Sequence, residues 1–494
     1  MRDSLFHLRR VENVSIQSQI REMLVSAILD GQLPSGVPLP SSRKMAKTLS
    51  VSRNTVVLAY QGLVDDGYLT ALERSGFYVN QEILEGRAAI CRLERKGQTD
   101  ADGPDWSNRL QVHPARQPHI WKPLDWQSYL YPFISNQVDP TLFPIAAWRE
   151  CSRQSLGKRG MDAWTSDTSG SDDPDLVEQI RTRLLPRRGI MATEDQVLIT
   201  MGAQNALYLL ASLLFTPSTQ VAMEDPGYPD ARNIFAMKTP RVRPIAVDEA
   251  GLPVDARLDP CDYVYVTPSH QSPTTPTMPL ARRQALLERA EAHDFIIIED
   301  DYEAETNYVS EPTPALKSLD TAGRVIYVGS LSKTLFPGLR LGYLVAPAEL
   351  IAEARALRLL MLRHAPNNNQ RTTALFLSLG HHDTLIHRLH RAYGERWREM
   401  DAALQKHLPD STRAPTFGGT SFWVRGPDNL NADILAEEAR REGIIIEPGS
   451  IHFAADDGPR NYMRLGLSSI SPEKIEPGIR LLADLIDRHC SAAA

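Results

Sequence analysis

The segment RVIYVGSLSKTLFPGLRLGYLVAP (324–347) contains two short apolar runs that are separated by a polar turn with one lysine. Each run has the length and composition of a buried strand, and neither alternates with polar residues. A lysine that directly follows such a strand lies at the edge of the sheet. Partial desolvation there favours the neutral amine over the ammonium, so Lys333 is a candidate nucleophile that could form a Schiff base with an aldehyde.

Apolar runs of the same kind lie upstream of this segment. They are QVLIT (196–200), QVAMED (220–225), YVYVTP (263–268) and FIIIED (295–300). Segments of helical length, such as ARRQALLERAEAH (281–293), separate the strands. This alternation predicts an α/β domain whose central sheet is mainly parallel and is covered by helices on both faces.

Polar and charged residues follow several of these strand ends, where a parallel sheet binds its ligands. A glycine turn at 201–205 opens a helix, and the free N–H groups of a helix start can bind a phosphate. Pyridoxal 5′-phosphate would use the other groups as well: a lysine for its aldehyde, an acid for its pyridine nitrogen, a tyrosine for its phenolate and an aromatic face for its ring. The predicted cofactor-binding residues are Gly202, Ala203, Gln204, Tyr228, Ser272, Asp300, Tyr302, Ser330, Ser332, Lys333 and Arg340. Taken singly, each has a simpler interpretation as a surface cation, a helix cap or a turn residue.

The N-terminal residues have a different pattern. IQSQIREMLVSAIL (16–29) has apolar residues at helical spacing, and Ser41 and Ser52 are candidate N-caps of two further short helices. The last helix opens with polar residues, which is the helix-turn-helix arrangement that reads the major groove of DNA. Although the whole chain has a net charge of −7, SSRKMAKTLSVSR (41–53) carries four cations and no acid. A hairpin around Ser75 and Gly76 would complete a winged helix.

The residue identities in this N-terminal segment indicate a family more specifically than its helical pattern does. LPSSRKMAKTLSVSRNTVVLAYQGLVDDGYL (39–69) closely resembles the winged helix of GntR-type transcription regulators. The resemblance implies contacts with DNA from the start of each short helix and from the tip of the wing. The predicted DNA-binding residues are Ser41, Ser42, Arg43, Arg53, Asn54, Thr55, Ser75 and Gly76.

Residues 125–490 resemble the fold-type I aminotransferases through EDPGYPD (224–230), IIIEDDYEAE (296–305), YMRLGLS (462–468) and the segment around Lys333. The resemblance implies that Lys333 (Schiff base), Asp300 and Tyr302 are the catalytic residues. Lys333 would hold pyridoxal 5′-phosphate as an internal aldimine, Asp300 would pair with the pyridine nitrogen, and Tyr302 would hydrogen-bond the phenolic oxygen. The implied effector-binding residues are Arg464, which would grip a carboxylate, Tyr228, which would stack on the ring, and Asp230. The chain departs from the family at Ser272 and Thr275, where the family has asparagine and glycine.

The fusion of these two parts resembles the MocR-type regulators, which include sensors of γ-aminobutyrate, taurine and pyridoxal phosphate. We therefore expect a GntR-type winged helix-turn-helix domain at 1–80, a linker at 81–123 and an aminotransferase-like effector-binding domain at 124–494. The implied function is pyridoxal-phosphate-dependent regulation of transcription. A small amine, of the amino acid, taurine or ectoine-derived diamino acid class, would displace Lys333 and form an external aldimine.

The resemblance also implies partners and leaves alternatives open. We expect a domain-swapped, head-to-tail homodimer on a double-stranded DNA operator with two half-sites. An active aminotransferase with a DNA-binding appendage remains an alternative, because every residue that amine exchange requires is present. A regulator that reads the abundance of the cofactor itself is a third.

Composition excludes other classes of protein. No run reaches the roughly 20 apolar residues that a membrane helix needs, and the first ten residues lack the apolar centre of a secretory signal. We therefore expect a cytoplasmic protein without membrane contact. The four cysteines lie far apart, and the histidines of HHDTLIHRLH (381–390) have no acidic partner set, so no metal site is predicted.

Overall fold

The chain forms two compact units, Met1–Arg109 and Leu110–Ala494. The computed structural model describes residues 6, 8, 14–72, 75–83, 104–157, 170–303, 305–307, 313–413 and 418–492. Residues 110–123, which the sequence assigned to the linker, pack within the second unit. Much of the remaining predicted linker, residues 84–103, lies outside the described part of the chain.

The first unit consists of three helices followed by a two-stranded hairpin. Its elements are α1 (Ile16–Leu29), α2 (Ser42–Leu49), α3 (Arg53–Asp65), β1 (Leu69–Leu72) and β2 (Gly76–Val79). Ser41 caps α2 by accepting a hydrogen bond from the backbone N–H of Lys44, at 3.3 Å. Ser52 caps α3 in the same way through the N–H of Thr55, at 3.1 Å. Both predicted N-caps are confirmed, and each satisfies a backbone N–H group in the first turn of its helix.

Buried apolar residues hold this small unit together. Ile20 and Leu24 of α1 pack in one core with Val56 and Leu63 of α3. The Tyr60 hydroxyl, which faces the same core, donates to the carbonyl of Pro40 at 2.9 Å and so fixes the turn before α2. The DNA-facing set predicted from the sequence stays on the surface: six of its members are exposed, and two are half-buried, namely Ser42 and Thr55.

The second unit contains a large sheet, a smaller sheet and the helices that cover them. Its helices are α4 (Ile145–Ser155), α5 (Pro174–Gln179), α6 (Leu185–Arg187), α7 (Ala203–Leu214), α8 (Pro229–Ala236), α9 (Leu280–His293), α10 (Leu316–Leu319), α11 (Ala348–Leu362), α12 (Asn367–Ser378), α13 (His381–His407), α14 (Ala432–Arg441) and α15 (Pro472–Ala492). Its strands are β3 (Tyr131–Pro132), β4 (Val197–Thr200), β5 (Val221–Asp225), β6 (Val242–Ala246), β7 (Tyr263–Val266), β8 (Ile296–Asp301), β9 (Val325–Ser330), β10 (Gly342–Val345), β11 (Thr412–Arg413), β12 (Ser421–Arg425), β13 (Ile444–Ile445), β14 (Glu447–Pro448) and β15 (Tyr462–Gly466).

The large sheet has the strand order β4-β10-β9-β8-β7-β5-β6. The strands β6, β5, β7, β8 and β9 run parallel, and β10 runs antiparallel to both of its neighbours. Successive residues of β4 belong to different buried clusters, Leu198 to one and Val197 and Ile199 to the other, so helices cover both faces. The predicted α/β domain with a mainly parallel sheet is confirmed.

The smaller sheet has the strand order β11-β12-β15-β14. It is antiparallel, and its register places Arg464 of β15 between Trp423 of β12 and Glu447 of β14. Helices α14 and α15 pack beside it. This sheet therefore supplies a cation and a carboxylate that neighbour each other on adjacent strands. No helix within the described ranges is both long enough and apolar enough to cross a membrane.

Candidate functional site

A cavity of about 260 Å³ opens at the carboxyl ends of the parallel strands. Its lining residues are Lys122, Asn136, Gln137, Ala203, Gln204, Tyr228, Tyr265, Thr267, Ser272, Asp300, Tyr302, Ser330, Ser332, Lys333, Pro337, Arg340 and Arg464. The structure thus brings the predicted cofactor and effector residues together, apart from Gly202 and Asp230, which lie just behind the wall. Residues from separate strand ends meet here because parallel strands end at one edge of a sheet.

Lys333 projects from the turn that follows β9 and is half-buried in the cavity wall. Its Nζ donates to Asn136 Oδ1 and lies 5.3 Å from the centroid of the Tyr302 ring. Burial lowers the pKa of the Lys333 amine to about 7, against a smaller opposing effect of the Glu303 carboxylate. A large fraction of this amine is therefore neutral, and nucleophilic, near pH 7.

This shift predicts the pH dependence of the amine in the protein without cofactor. Trace labelling with acetic anhydride is expected to acetylate Lys333 at a rate that rises with pH and reaches half of its plateau near pH 7. A free lysine derivative in the same tube should rise through about pH 10. Peptide mass spectrometry at each pH measures both rates. A curve for Lys333 that coincides with that of the free amine would contradict the burial of this side chain.

Two neighbouring acids at the end of β8 face opposite sides of the sheet. Asp300 Oδ2 accepts a hydrogen bond from the Tyr265 hydroxyl at 2.8 Å, whereas its buried Oδ1 has no partner among the described residues. Burial raises the pKa of Asp300 to about 6. Asp301 instead pairs with Arg188 at 2.8 Å and accepts from the Tyr327 hydroxyl at 2.8 Å. Asp301 Oδ2 is thus held by the fold, and Asp301 does not line the cavity, whereas Asp300 lines it and keeps an oxygen for a ligand.

Arg340 forms the end of the cavity at the start of α7, and Gly202 lies directly behind it. Gly202 has a φ of 86° and precedes the first helical residue, Ala203. A Cβ at this position would lie 3.2 Å from Arg340 Nη2. The Arg340 guanidinium donates to the carbonyl of Met201 at 3.0 Å. A helix start with unsatisfied N–H groups, next to an arginine and the hydroxyl side chain of Ser330, is suited to a phosphate.

Tyr228 lies in the wall between β5 and α8. Its hydroxyl donates to Asp230 Oδ2 at 3.1 Å, and Gln204 donates to the same oxygen. Burial raises the pKa of Tyr228 well above its ordinary value, so this hydroxyl keeps its proton. The Asp230 carboxylate therefore orients Tyr228 from behind, and it does not line the cavity.

Arg464 is only 2% exposed and supplies a cation on the side of the smaller sheet. Its Nε donates to Ser421 Oγ at 2.8 Å, and its Nη1 lies 3.7 Å from Glu447 Oε1. Its Nη2 is buried and finds no hydrogen-bond acceptor in the described part of the chain. An unpaired buried donor costs about 1–3 kcal/mol. An anionic group of a ligand would remove this cost.

Sequence reasoning missed several lining residues. In the sequence, Tyr265 is indistinguishable from the apolar residues of its strand. Its hydrogen bond to Asp300 depends on the register of β7 and β8. Asn136 has a φ of 62°, a conformation that asparagine tolerates, but nothing in the sequence pairs it with Lys333. Lys122 lay in the predicted linker. In the described segments, no group of three or more histidine, cysteine, aspartate or glutamate residues is arranged to hold a metal ion.

Comparison with known proteins identifies both units. Residues 128–482 match the aminotransferase class I and II family, and residues 16–79 match the bacterial regulatory proteins of the gntR family. The chain belongs to the MocR-type regulators of the GntR family. It is 46% identical over 470 residues to the HTH-type transcriptional regulator TauR of Rhodobacter capsulatus, an alignment that covers 95% of the chain and 96% of that regulator. It is 31% identical to the probable rhizopine catabolism regulatory protein MocR of Rhizobium meliloti, over 96% of the chain and 94% of that protein.

Solved structures agree with the fold of the second unit. The crystal structure of an archaeal alanine:glyoxylate aminotransferase has a TM-score of 0.71 and 26% sequence identity, covering 78% of this chain and all of that one. Membership of the MocR-type regulators implies dependence on pyridoxal 5′-phosphate, and the gntR match implies DNA binding. The residues present fit the cofactor, because the cavity combines an amine of lowered pKa, an unpaired Asp300 oxygen and a free helix start.

Proposed function

We propose that this chain regulates transcription by binding, next to pyridoxal 5′-phosphate, a small effector that carries both a primary amine and an acid group. The observation that carries the proposal is the convergence of three groups in one cavity: the Lys333 amine of lowered pKa and two unpaired atoms, Asp300 Oδ1 and Arg464 Nη2. They match, in order, an aldehyde, a protonated ring nitrogen and an anion. The bound cofactor supplies an aldehyde that forms a Schiff base with a primary amine.

Each residue has a defined part in this proposal. Lys333 would hold the cofactor through its amine. Asp300 would stabilise positive charge at the ring nitrogen, and the Tyr302 hydroxyl would donate a hydrogen bond to the phenolic oxygen. Tyr228, oriented by Asp230, would contact the ring, while Arg464 would bind the acid group of the effector. A larger set would hold the phosphate: Ala203, Gln204, Ser330, Ser332 and Arg340 in the wall, with Gly202 behind it, and Ser272 would lie near the ring.

Regulation requires that two conformations of the protein bind the effector with different affinities. The proposed responding part is the winged helix, with α3 in the major groove and the Ser75–Gly76 turn on the phosphate backbone. We propose a homodimer that presents two such heads to an operator with two half-sites. The effector belongs to the amino acid, aminosulfonate (taurine) or diamino acid class.

Absorbance spectroscopy combined with DNA footprinting tests this function. Amines of the proposed class are titrated into the full-length protein loaded with cofactor, and the spectrum and the protected DNA are recorded. A stable spectral change at saturating amine, together with an altered footprint, is the expected result. Steady production of keto acid over many turnovers would favour the alternative, an aminotransferase with a DNA-binding appendage. A footprint that changes with cofactor alone and with no amine would favour a sensor of the cofactor.

A further inference from the structure

Lys122 is a second lysine in the wall of the cavity, distinct from Lys333. Its Nζ donates to the carbonyl of Ser135 at 2.6 Å. No carboxylate of the described residues forms an ion pair with it. Because an ammonium has three N–H donors, two remain for a ligand in the cavity. A half-buried lysine with spare donors and no ion-paired carboxylate in the described segments is costly unless a ligand compensates for it.

Lys122 and Arg464 both lie near one carboxylate, Glu447, at this end of the cavity. Glu447 is the carboxylate nearest to Arg464, and it also accepts a hydrogen bond from His452 Nε2 at 3.0 Å. Although burial opposes it, the hydrogen bond from His452 and the charges of Arg464 and Lys122 lower the pKa of Glu447 to about 2. Lys122 and Arg464 therefore share Glu447 as the carboxylate that affects both most strongly, with weaker effects of Asp230 on Lys122 and of Glu303 on Arg464. Arg464 Nη2 still has no hydrogen-bond acceptor among the residues that the structure describes.

We propose that Lys122 binds the acid group of the effector together with Arg464, so that the cavity selects amines that carry an anion at the opposite end. This inference rests on the proposed function, because it assigns a further residue to the same effector site. Arg464 approaches from the smaller sheet and Lys122 from the segment that precedes β3, so the acid group would be held from two sides. Carboxylate and sulfonate both offer the necessary oxygens, and the experiment below includes both.

The segment that carries Lys122 is fixed at points other than the lysine. In this strap, residues 117–123, Gln117 Nε2 donates to the carbonyl of Asn233 at 3.4 Å, and Asn233 Nδ2 donates to the carbonyl of Pro118 at 2.7 Å. The Trp121 ring lies 4.7 Å from the Arg440 guanidinium. The strap is thus attached to α8, which follows Tyr228, and to α14. These contacts hold the Lys122 backbone in place independently of its ammonium, so a substitution of the side chain tests the charge and not the path of the chain.

The Lys122→Met variant tests the proposal in the full-length protein loaded with cofactor. Absorbance titrations measure the apparent dissociation constants of β-alanine, taurine and an amine of similar length without an acid group, n-propylamine. We expect the variant to bind β-alanine and taurine roughly tenfold or more weakly than the wild type, because it lacks a charged hydrogen-bond donor to the anion. Its response to n-propylamine should stay within about twofold, since that amine never used the donor.

Two further variants serve as controls. Lys474→Met removes an exposed lysine of α15 and should leave all three titrations unchanged. Lys122→Arg keeps the positive charge and should restore most of the affinity for the acid-bearing amines. If Lys122→Met fails to fold or to retain cofactor, Lys122→Gln, which keeps a donor for Ser135, replaces it. Equal losses for acid-bearing and acid-free amines, or no loss for either, would overturn the assignment of Lys122.

Failure of the proposed function gives a different result from failure of this inference. If the wild-type protein forms its cofactor absorbance and no amine of the set changes it, the proposed amine sensing is wrong and the role of Lys122 falls with it. If the wild type responds to β-alanine or taurine and Lys122→Met responds identically, only the role of Lys122 is wrong. A loss confined to taurine would restrict Lys122 to sulfonate effectors and identify the effector class.

Discussion

The Lys333→Ala variant is expected to lose the covalent attachment of pyridoxal 5′-phosphate completely. The protein without cofactor is incubated with it, reduced with borohydride and digested, and mass spectrometry locates the adduct. The wild type should carry the adduct at position 333, and the variant should carry none there and lack the corresponding absorbance band. The physical reason is that burial lowers the pKa of this amine to about 7, so that it is available to react with the aldehyde of a cofactor in the cavity that it lines. Binding of the operator without effector should persist, because the winged helix belongs to the other unit.

A matched control exists because a second lysine lines the same cavity. Lys122→Met removes that lysine and should keep the adduct at Lys333, with its absorbance. The pair of variants therefore separates the covalent role of one amine from the electrostatic role of the other. An adduct that persists in Lys333→Ala and maps to Lys122 would contradict the proposed assignment. An effector-dependent footprint that survives in Lys333→Ala would show that amine exchange at this residue is dispensable.

Much of the candidate site could be predicted because it follows strand ends. Asp300 and Lys333 each come directly after an apolar run, and the topology of a parallel sheet brings such positions together. The family resemblance selected Asp300 over Asp301, and the structure gives the physical reason, because adjacent residues on a strand face opposite sides. Arg188 pairs with Asp301, and it lies far from that acid in sequence. No local pattern reveals such a partner.

The segments that could not be predicted from the sequence lack a periodic pattern of apolar residues. The edge strand β6 contains Pro244 and the exposed Arg243, so its sequence resembles that of a loop, although it pairs with β5 along its whole length. The strap has isolated prolines and no repeat, which is also the composition of a linker, and its position in the second unit depends on contacts with α8 and α14. Lys122 was missed for the same reason. The boundaries of the two domains and of the linker stay a prediction.

The two caps at Ser41 and Ser52 explain why the helices of the N-terminal unit could be predicted from the sequence. A serine that accepts a hydrogen bond from a backbone N–H three residues later is a local interaction, so it is visible in the sequence and confirmed in the fold. The same local geometry exposes Arg53, the first residue of α3. Its Nε lies 3.4 Å from Ser42 Oγ, so the starts of the two short helices meet on one surface.

Arg53→Ala is expected to weaken binding to the operator by about 1–3 kcal/mol, or roughly 5- to 150-fold, if Arg53 contacts a base. The alanine keeps the Ser52 cap and the buried face of α3, so the fold should survive. Fluorescence anisotropy at several salt concentrations, with operator and with unrelated DNA, measures the change. A loss on the operator that exceeds the loss on unrelated DNA indicates a base contact, whereas equal losses with a shallower salt dependence indicate a phosphate contact. Arg480→Ala, an exposed arginine of α15, should leave both affinities unchanged, and unchanged binding by Arg53→Ala would exclude α3 from the groove.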